Sequence, residues 1–313
     1  MDPQKIYSAV LERYSALSSE QAQTCGAHSK SVAQAFGYTE EDLQSIPNQA
    51  NLGLSCGNPL AIASLREGET VIDLGSGAGF DVFLASPKVG PTGRVIGVDM
   101  NKDMLSLAEK NKAKFPAQNV EFLKARVTDI PLDGNVADVI ISNCVINLVP
   151  EEEKQLVFNE IFRLLKAGGR VAVSDILAKK HLPESLQKCA AAYVGCVAGV
   201  SLLSQYHRYF QQAGFSEVLI EDAKNDLNVY IDTSSEGTRQ EKDAGSVDKQ
   251  DPHCGAASTL STSPEPASCC ECRSTVKNTG ANLDLSHMVT ELGQVDLNEW
   301  VGSYKIFAVK PSA

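Results

Sequence analysis

A buried strand followed at once by a glycine-rich turn constrains the fold of this chain more than any other feature. Residues 71–74 (Val-Ile-Asp-Leu) form an apolar strand in which only Asp73 is charged, and Gly75, Gly77 and Gly79 follow it directly. Glycines at this position let the backbone turn sharply into a helix and approach a ligand closely. The segment therefore predicts the first strand–helix unit of a nucleotide-type binding sheet.

Strands and helices alternate along the chain after this turn. The apolar patterns predict strands at 94–98, 120–123, 138–142, 170–175, 218–221 and 303–309. Helical spacing predicts helices at 80–86, 102–114 and 151–166, the last of them capped by Gly168 and Gly169. Elements that alternate at this spacing predict an α/β fold whose parallel sheet is covered on both faces.

The segments outside this alternation differ in character. Residues 2–50 and 183–213 have helical spacing, and Asn58-Pro59 predicts the start of a short helix over 60–63. Residues 233–281 lack periodicity and are rich in Ser, Thr, Gly, Pro and Asp, which predicts a mobile insertion. We expect the strand after this insertion to return to the main sheet, so that the insertion interrupts one domain.

Composition excludes some classes of function. The formal net charge of −11 argues against a nucleic-acid partner, because binding phosphates needs a basic face. The first residues lack a signal-peptide pattern, and no apolar run reaches the roughly 20 residues that a membrane span needs. We therefore expect a cytoplasmic protein without a membrane partner. Thiols stay reduced there, so the nine cysteines are interpreted as ligands or reactive groups and not as a disulfide framework.

Acidic residues at two strand ends indicate the kind of cofactor. Asp99 closes the second strand, where an acidic residue commonly binds ribose hydroxyls. Asp73 would repel a pyrophosphate, whereas it suits the ammonium and sulfonium of S-adenosylmethionine. Thr128 and Asp129 follow the third strand, where they either meet an adenine edge or form a solvated turn. The alternative is that Asp73 and the glycines form only a structural turn.

Four cysteines lie where a substrate site is expected. Cys144 follows the fourth strand, and ligands of open α/β sheets bind beyond the carboxyl ends of strands; a buried, inert thiol fits this position equally well. Cys56 precedes a predicted helix start, where a thiolate is stabilised by the helix dipole. Cys196 lies in the helical segment after the fifth strand, and Cys25 lies among the N-terminal helices.

A second group of cysteines falls in the predicted insertion. They are Cys254, Cys269, Cys270 and Cys272. Three interpretations stay open: they bind a soft metal or metalloid, they form a redox tail, or they are unligated thiols.

Four sequence runs together resemble one family. They are residues 54–59 (Leu-Ser-Cys-Gly-Asn-Pro), 68–81, 97–100 and 142–148 (Ser-Asn-Cys-Val-Ile-Asn-Leu), and they closely resemble the S-adenosylmethionine-dependent arsenite methyltransferases. The likeness extends over about residues 5–222 and 296–311. It implies a class I methyltransferase, Rossmann-like sheet that is parallel except for an antiparallel last strand. The domains it implies are a helical extension contributing to the substrate site (1–66), the methyltransferase domain (67–232), the disordered insertion (233–281) and the return to the sheet (282–313).

The resemblance also implies a reaction and its residues. It implies methyl transfer to trivalent arsenic for detoxification, with arsenite or its thiol conjugates as substrate. It further implies a thioredoxin- or glutathione-type thiol reductant as co-substrate and a monomeric enzyme. The implied arsenic ligands are Cys56, Cys144 and Cys196, with Cys25 a weaker match. The implied cofactor-binding residues are Asp73, Gly75, Ser76, Gly77, Asp99, Met100, Thr128, Asp129 and Asn143, where Thr128 replaces the acidic residue usual in the family.

The chemistry of arsenic agrees with this residue set. Trivalent arsenic is soft and thiolates are its natural ligands, while its lone pair can attack a sulfonium methyl group without any general base. Two other functions stay open from the sequence. One is methylation of a lipid or quinone-like small molecule, which needs no thiols. The other is metalloid binding without catalysis, which needs no glycine-rich turn for a cofactor.

Overall fold

The computed structural model describes residues 2–19, 26–116, 118–182, 199–228 and 296–312. The helices are α1 (Pro3–Leu17), α2 (Gly26–Ala35), α3 (Glu40–Gln44), α4 (Leu60–Ala63), α5 (Phe80–Val89), α6 (Lys102–Lys112), α7 (Lys154–Leu164) and α8 (Leu203–Ala213). The strands are β1 (Thr70–Leu74), β2 (Arg94–Asp99), β3 (Val120–Lys124), β4 (Ala137–Asn143), β5 (Leu165–Ala178), β6 (Val218–Asp222) and β7 (Val301–Val309).

The seven strands form one sheet in the order β3-β2-β1-β4-β5-β7-β6. Strands β1 to β5 pair in parallel with their neighbours, whereas β7 runs antiparallel to both β5 and β6. The predicted α/β class and the antiparallel last strand are therefore confirmed. The strand order reverses between β1 and β4, and such a reversal opens a crevice at the carboxyl ends of the strands.

The side chains of β1 point alternately to the two faces of the sheet and pack into two separate hydrophobic clusters. Ile72 and Leu74 pack into one buried cluster with α7 and α8 residues, and Val71 packs into the other with α5 residues. Because side chains alternate with a period of two, Asp73 lies on the same face as Val71, at the strand end beside the crevice. The strand therefore places one carboxylate at the crevice while its remaining side chains build the core.

The end of α7 differs from the prediction. The helix ends at Leu164, and not at the glycine pair Gly168 and Gly169, because Leu165 already has an extended backbone and pairs with Ala137 of β4. The backbone N–H of Gly168 donates to the carbonyl of Lys310 beyond β7, at 3.0 Å. The glycine pair therefore belongs to the strand, where it meets the end of β7.

Several predictions lie outside the described residues. These are the helix over 183–198, the insertion at 233–281 and Cys25, Cys196, Cys254, Cys269, Cys270 and Cys272. The boundaries of the predicted domains also stay predictions. In the described parts of the chain, no helix is long and apolar enough to cross a bilayer.

Candidate active site

The glycine turn after β1 brings the backbone to the floor of the crevice. Gly75 and Gly77 have φ values of +72° and +52°, in the left-handed region that favours glycine. The backbone N–H of Gly75 donates to the carbonyl of Val98 on β2, at 2.7 Å. A Cβ atom on Gly75 would lie 2.2 Å from Cγ2 of Val145, so the turn is packed directly against the residue that follows Cys144.

Asp73 presents a buried carboxylate to the crevice. It is 3 % exposed, and burial raises its pKa well above the ordinary value, with further contributions from the charges of Asp81 and Asp99. None of the ion pairs among the described residues includes Asp73. A carboxylate held in this way favours a cationic ligand, because such a ligand would supply the missing countercharge.

Asp99 is oriented by backbone donors at the end of β2. Its Oδ2 accepts from the N–H of Gly77 at 2.9 Å, and its Oδ1 accepts from the N–H of Asn101 at 2.8 Å. Burial raises its pKa, and these N–H groups act in the opposite direction because they stabilise the carboxylate. Asp99 is thus held against the glycine turn in a fixed orientation.

One open cavity joins these groups. Predicted residues that line it are Asp73, Gly75, Ser76, Gly77, Asp99, Met100, Asn143 and Cys144. Thr128 and Asp129 are absent from its lining, which consists of Ala125, Arg126 and Val127 at that end.

Helix α1 supplies one wall of the cavity, with residues that no sequence motif identified. Its inward residues are Tyr7, Val10, Leu11 and Tyr14. The Tyr7 hydroxyl donates to Oε2 of Glu153 at 2.5 Å, and the Arg126 guanidinium lies 4.3 Å from the centre of the Tyr7 ring. The only available signal was helical spacing, which identifies an apolar face without saying what that face covers.

Cys56 and Cys144 meet at the edge of this cavity. Their Cα atoms are 5.8 Å apart although 88 residues separate them, and the structure joins their sulfur atoms in a disulfide. The expectation of free thiols is therefore not met at this pair. Both residues are held by the Ser174 carbonyl of β5, which accepts from the Cys144 N–H at 2.9 Å and lies 3.7 Å from Cys56 Sγ. Two thiols at this distance can bind one soft atom together when they are reduced.

Asn143 connects Cys56 to a buried polar network. Its Oδ1 accepts from the Cys56 N–H at 3.2 Å, and its Nδ2 donates to Asp81 at 3.1 Å and to the Gly57 carbonyl at 2.9 Å. The Tyr38 hydroxyl donates to the other oxygen of Asp81 at 2.7 Å. Burial raises the pKa of Asp81 to about 6 and that of Tyr38 well above its ordinary value. Asp81 and Tyr38 were missed from the sequence because their partners are distant in the chain.

Comparisons with known proteins agree with this geometry. The family model described as a methyltransferase domain matches residues 65–214. The chain is 40% identical over 257 residues to an arsenite methyltransferase of Halobacterium salinarum, covering 74% of this chain and 65% of that relative. It is 33% identical over 224 residues to the human arsenite methyltransferase, covering 68% and 57% respectively. The chain thus spans somewhat less than two thirds of the length of these curated relatives.

A solved structure supports the fold. The arsenic(III) S-adenosylmethionine methyltransferase of Chlamydomonas reinhardtii matches with a TM-score of 0.52 and 23% identity, covering 90% of this chain and 73% of that one. The mostly parallel seven-stranded sheet with its antiparallel β7 and its crevice beside the glycine turn defines a class I methyltransferase. Within that class, the chain is similar to curated arsenite methyltransferases over 68–74% of its own length.

Proposed function

We propose that this protein transfers a methyl group from S-adenosylmethionine to trivalent arsenic, giving methylarsenicals and so detoxifying arsenite. The observation that carries the proposal is the position of Cys144. It is paired with Cys56 and lines the same cavity as Asp73 and Asp99. Cys196 is proposed as the third arsenic ligand and Cys25 as an accessory one.

The cavity residues fit S-adenosylmethionine. The buried Asp73 carboxylate lacks an ion pair among the described residues, which suits an ammonium group. The Ser76 hydroxyl lines the same cavity and has no hydrogen-bond partner within the described structure, so it is available to a polar ligand. Asp99 accepts ribose hydroxyls in this proposal, with Met100 beside it. When bound, S-adenosylmethionine supplies an electrophilic methyl group.

The cysteine thiolates hold arsenic beside the methyl group and donate electron density to it. The disulfide between Cys56 and Cys144 must be reduced before arsenic can bind, so a thioredoxin- or glutathione-type thiol is required as co-substrate. A thiol of ordinary pKa near 8.5 is largely protonated at neutral pH, so arsenic binding displaces protons and strengthens as pH rises. Holding arsenic beside the methyl group contributes roughly 7–11 kcal/mol through pre-organisation.

The reaction needs Cys56 and Cys144 in the reduced form, so we propose that the protein acts in a reducing compartment, the cytoplasm. We propose that it acts there as a monomer on arsenite or its thiol conjugates.

Product analysis of the reduced protein tests the proposal. Incubation with arsenite, S-adenosylmethionine and a thiol reductant should yield methylated arsenic, and Cys56→Ser, Cys144→Ser and Cys196→Ser should each lose it. Cys254→Ser is the matched control, because Cys254 lies in the predicted insertion, and it should retain activity.

Two outcomes would contradict the proposal. Full activity in both Cys56→Ser and Cys144→Ser, or methylation of a quinone-like acceptor that tolerates these changes, would favour the small-molecule methyltransferase. Arsenite binding without formation of S-adenosylhomocysteine would favour a non-catalytic metalloid-binding protein.

A further inference from the structure

A buried carboxylate lies beside the thiol pair. Asp175 on β5 is 0 % exposed, and one of its carboxylate oxygens, Cys56 Sγ and Cys144 Sγ all lie within 4.8 Å of one another. Cys144 lines the cavity, whereas Cys56 and Asp175 are not among its lining residues. The carboxylate therefore lies behind the thiol pair, on the side remote from the cavity.

Three donors fix the orientation of Asp175. Its Oδ1 accepts from Asn147 Nδ2 at 2.7 Å and from the Ile176 N–H at 2.9 Å, and its Oδ2 accepts from the Tyr206 hydroxyl at 2.6 Å. Hydrogen bonds donated by all three groups favour the ionised carboxylate. Burial raises the pKa of Asp175 to about 6, which still leaves the side chain ionised at neutral pH next to the two sulfur atoms.

This carboxylate forms no direct ion pair among the described residues. The buried Lys154 pairs with Glu151 at 2.9 Å, and its charge acts on Asp175 only at longer range, where it lowers the pKa of that carboxyl. A buried carboxylate without a contacting countercharge is costly, and such groups cluster at functional sites. A positive charge that arises beside it during the reaction would therefore be stabilised.

Methyl transfer creates such a charge on arsenic. The lone pair of arsenic forms the new bond to the methyl carbon, and the bond from that carbon to sulfur breaks with its electron pair staying on sulfur. Arsenic consequently gains one positive charge, and the sulfonium loses one. We propose that Asp175 supplies the negative charge that stabilises arsenic as it becomes positive; this inference rests on the proposed function.

A purely structural role for Asp175 makes a different prediction. If the side chain only anchors Asn147 and Tyr206, asparagine should replace it well. Its amide oxygen can accept from Asn147 and Ile176, and its NH₂ group can donate to the Tyr206 oxygen. Asp175→Asn therefore removes the charge while a full set of hydrogen bonds is retained, and this separates the two roles.

The experiment measures three quantities on reduced wild type and Asp175→Asn: the dissociation constant of arsenite, the dissociation constant of S-adenosylmethionine, and kcat for methylated arsenic. We expect kcat to fall on the order of 100-fold, which is the loss typical of removing one pre-organised electrostatic group. Both dissociation constants should stay within about threefold of wild type, because neither bound ground state carries the new charge on arsenic.

Tyr206→Phe provides a second variant that keeps the charge. It removes one hydrogen bond that favours the ionised form, so the pKa of Asp175 should rise above its present value of about 6. Assayed at pH 8.5, where the carboxylate is still charged, kcat should stay within about threefold of wild type. A kcat for Asp175→Asn within threefold of wild type overturns the inference. If Asp175→Asn does not fold, a tenfold loss of kcat in folded Tyr206→Phe at pH 8.5 overturns it. Absence of arsenic methylation in wild type would instead refute the proposed function.

Discussion

Asn143 donates its side-chain amide to the carboxylate of Asp81 at 3.1 Å, and this contact, together with the donation to the Gly57 carbonyl at 2.9 Å, decides which end of the amide faces Cys56. With Nδ2 turned towards Asp81, the oxygen of Asn143 accepts from the Cys56 N–H at 3.2 Å. Asp81 lies on α5 and Cys56 lies in the loop before α4, so one amide connects the helix after the glycine turn to the thiol pair. Asp81 thereby contributes to the position of Cys56 without contacting it.

Removing this carboxylate should weaken arsenite binding. Asp81→Ala removes the acceptor of the Tyr38 hydroxyl and one of the acceptors of Asn143 Nδ2, so the amide keeps the Gly57 carbonyl but is held less firmly in the orientation that faces Cys56. We expect the KM for arsenite to rise about tenfold, in line with the loss of one buried hydrogen bond to a charged group. Steady-state kinetics at saturating S-adenosylmethionine measures this. Asp81→Asn keeps an acceptor for Asn143 and should lie near wild type; equal losses in both variants would contradict the role of orientation.

Burial of Asp81 also predicts a pH dependence of stability. Its pKa rises from 3.8 to about 6 on folding, so between these values the folded protein keeps a proton that the unfolded chain has released. This contribution is favourable at low pH and is lost as pH rises towards 6. Asp81→Asn lacks it, so the stability of the variant relative to wild type should increase by about 2 kcal/mol between pH 4.5 and 7.5. Urea unfolding of both proteins at the two pH values tests this, and an unchanged difference would contradict it.

The central sheet could be predicted from the sequence because its signals are local. Strand β1, the glycine turn and Asp99 appear as a continuous pattern, and their predicted positions agree with the structure to within a residue or two. The end of α7 could not be predicted in this way. Pairing of Leu165 with Ala137 is a contact between distant segments, and it overrides the local capping signal of Gly168.

Some residues of the candidate site can likewise be identified from local sequence, whereas others cannot. Cys56, Cys144 and Asp73 stand out because their residue types imply chemistry and lie beside recognisable turns. Asp175 and Tyr38 do not, because their importance depends on partners brought close only by folding. Tyr38 reaches Asp81 across 43 residues, and Asp175 reaches Tyr206 across 31.

Two glycines of the same turn should respond differently to alanine. A Cβ atom on Gly75 would lie 2.2 Å from Val145 in a strained backbone conformation, so Gly75→Ala should lower the free energy of unfolding by about 2–4 kcal/mol. No atom lies within 4 Å of a Cβ built on Gly77, so Gly77→Ala should cost only about 1 kcal/mol, from its positive φ. Chemical denaturation measures both values. Equal losses would show that backbone strain, and not packing against Val145, limits the turn.

The disulfide predicts which thiols are protected before reduction. In protein purified without reductant, Cys56 and Cys144 should resist alkylation, and both should become labelled after treatment with a thiol. Peptide mapping by mass spectrometry identifies the two sites. Cys56→Ser serves as the control, because Cys144 then lacks its partner and should be labelled without reduction. Labelling of both cysteines in the unreduced wild type would contradict the pairing.

Helix α1 should control binding of the methyl donor, because it forms one wall of the cavity. It is fixed from two sides: Asn101 Nδ2 donates to the Leu11 carbonyl at 3.1 Å, and Tyr7 contacts both Glu153 and Arg126. Tyr7→Ala removes the second set of contacts and opens the wall, so the dissociation constant of S-adenosylmethionine should rise about tenfold. Equilibrium dialysis measures this constant without requiring arsenic.

A substitution on the opposite face of α1 gives the matched control for this prediction. Glu12 is exposed on the same helix and does not line the cavity, so Glu12→Ala should leave the dissociation constant unchanged. Binding by Tyr7→Ala at the wild-type level would show that α1 covers the cavity without contributing to affinity. An equal loss in Glu12→Ala would show that the stability of the whole helix is decisive, and not the contacts of Tyr7.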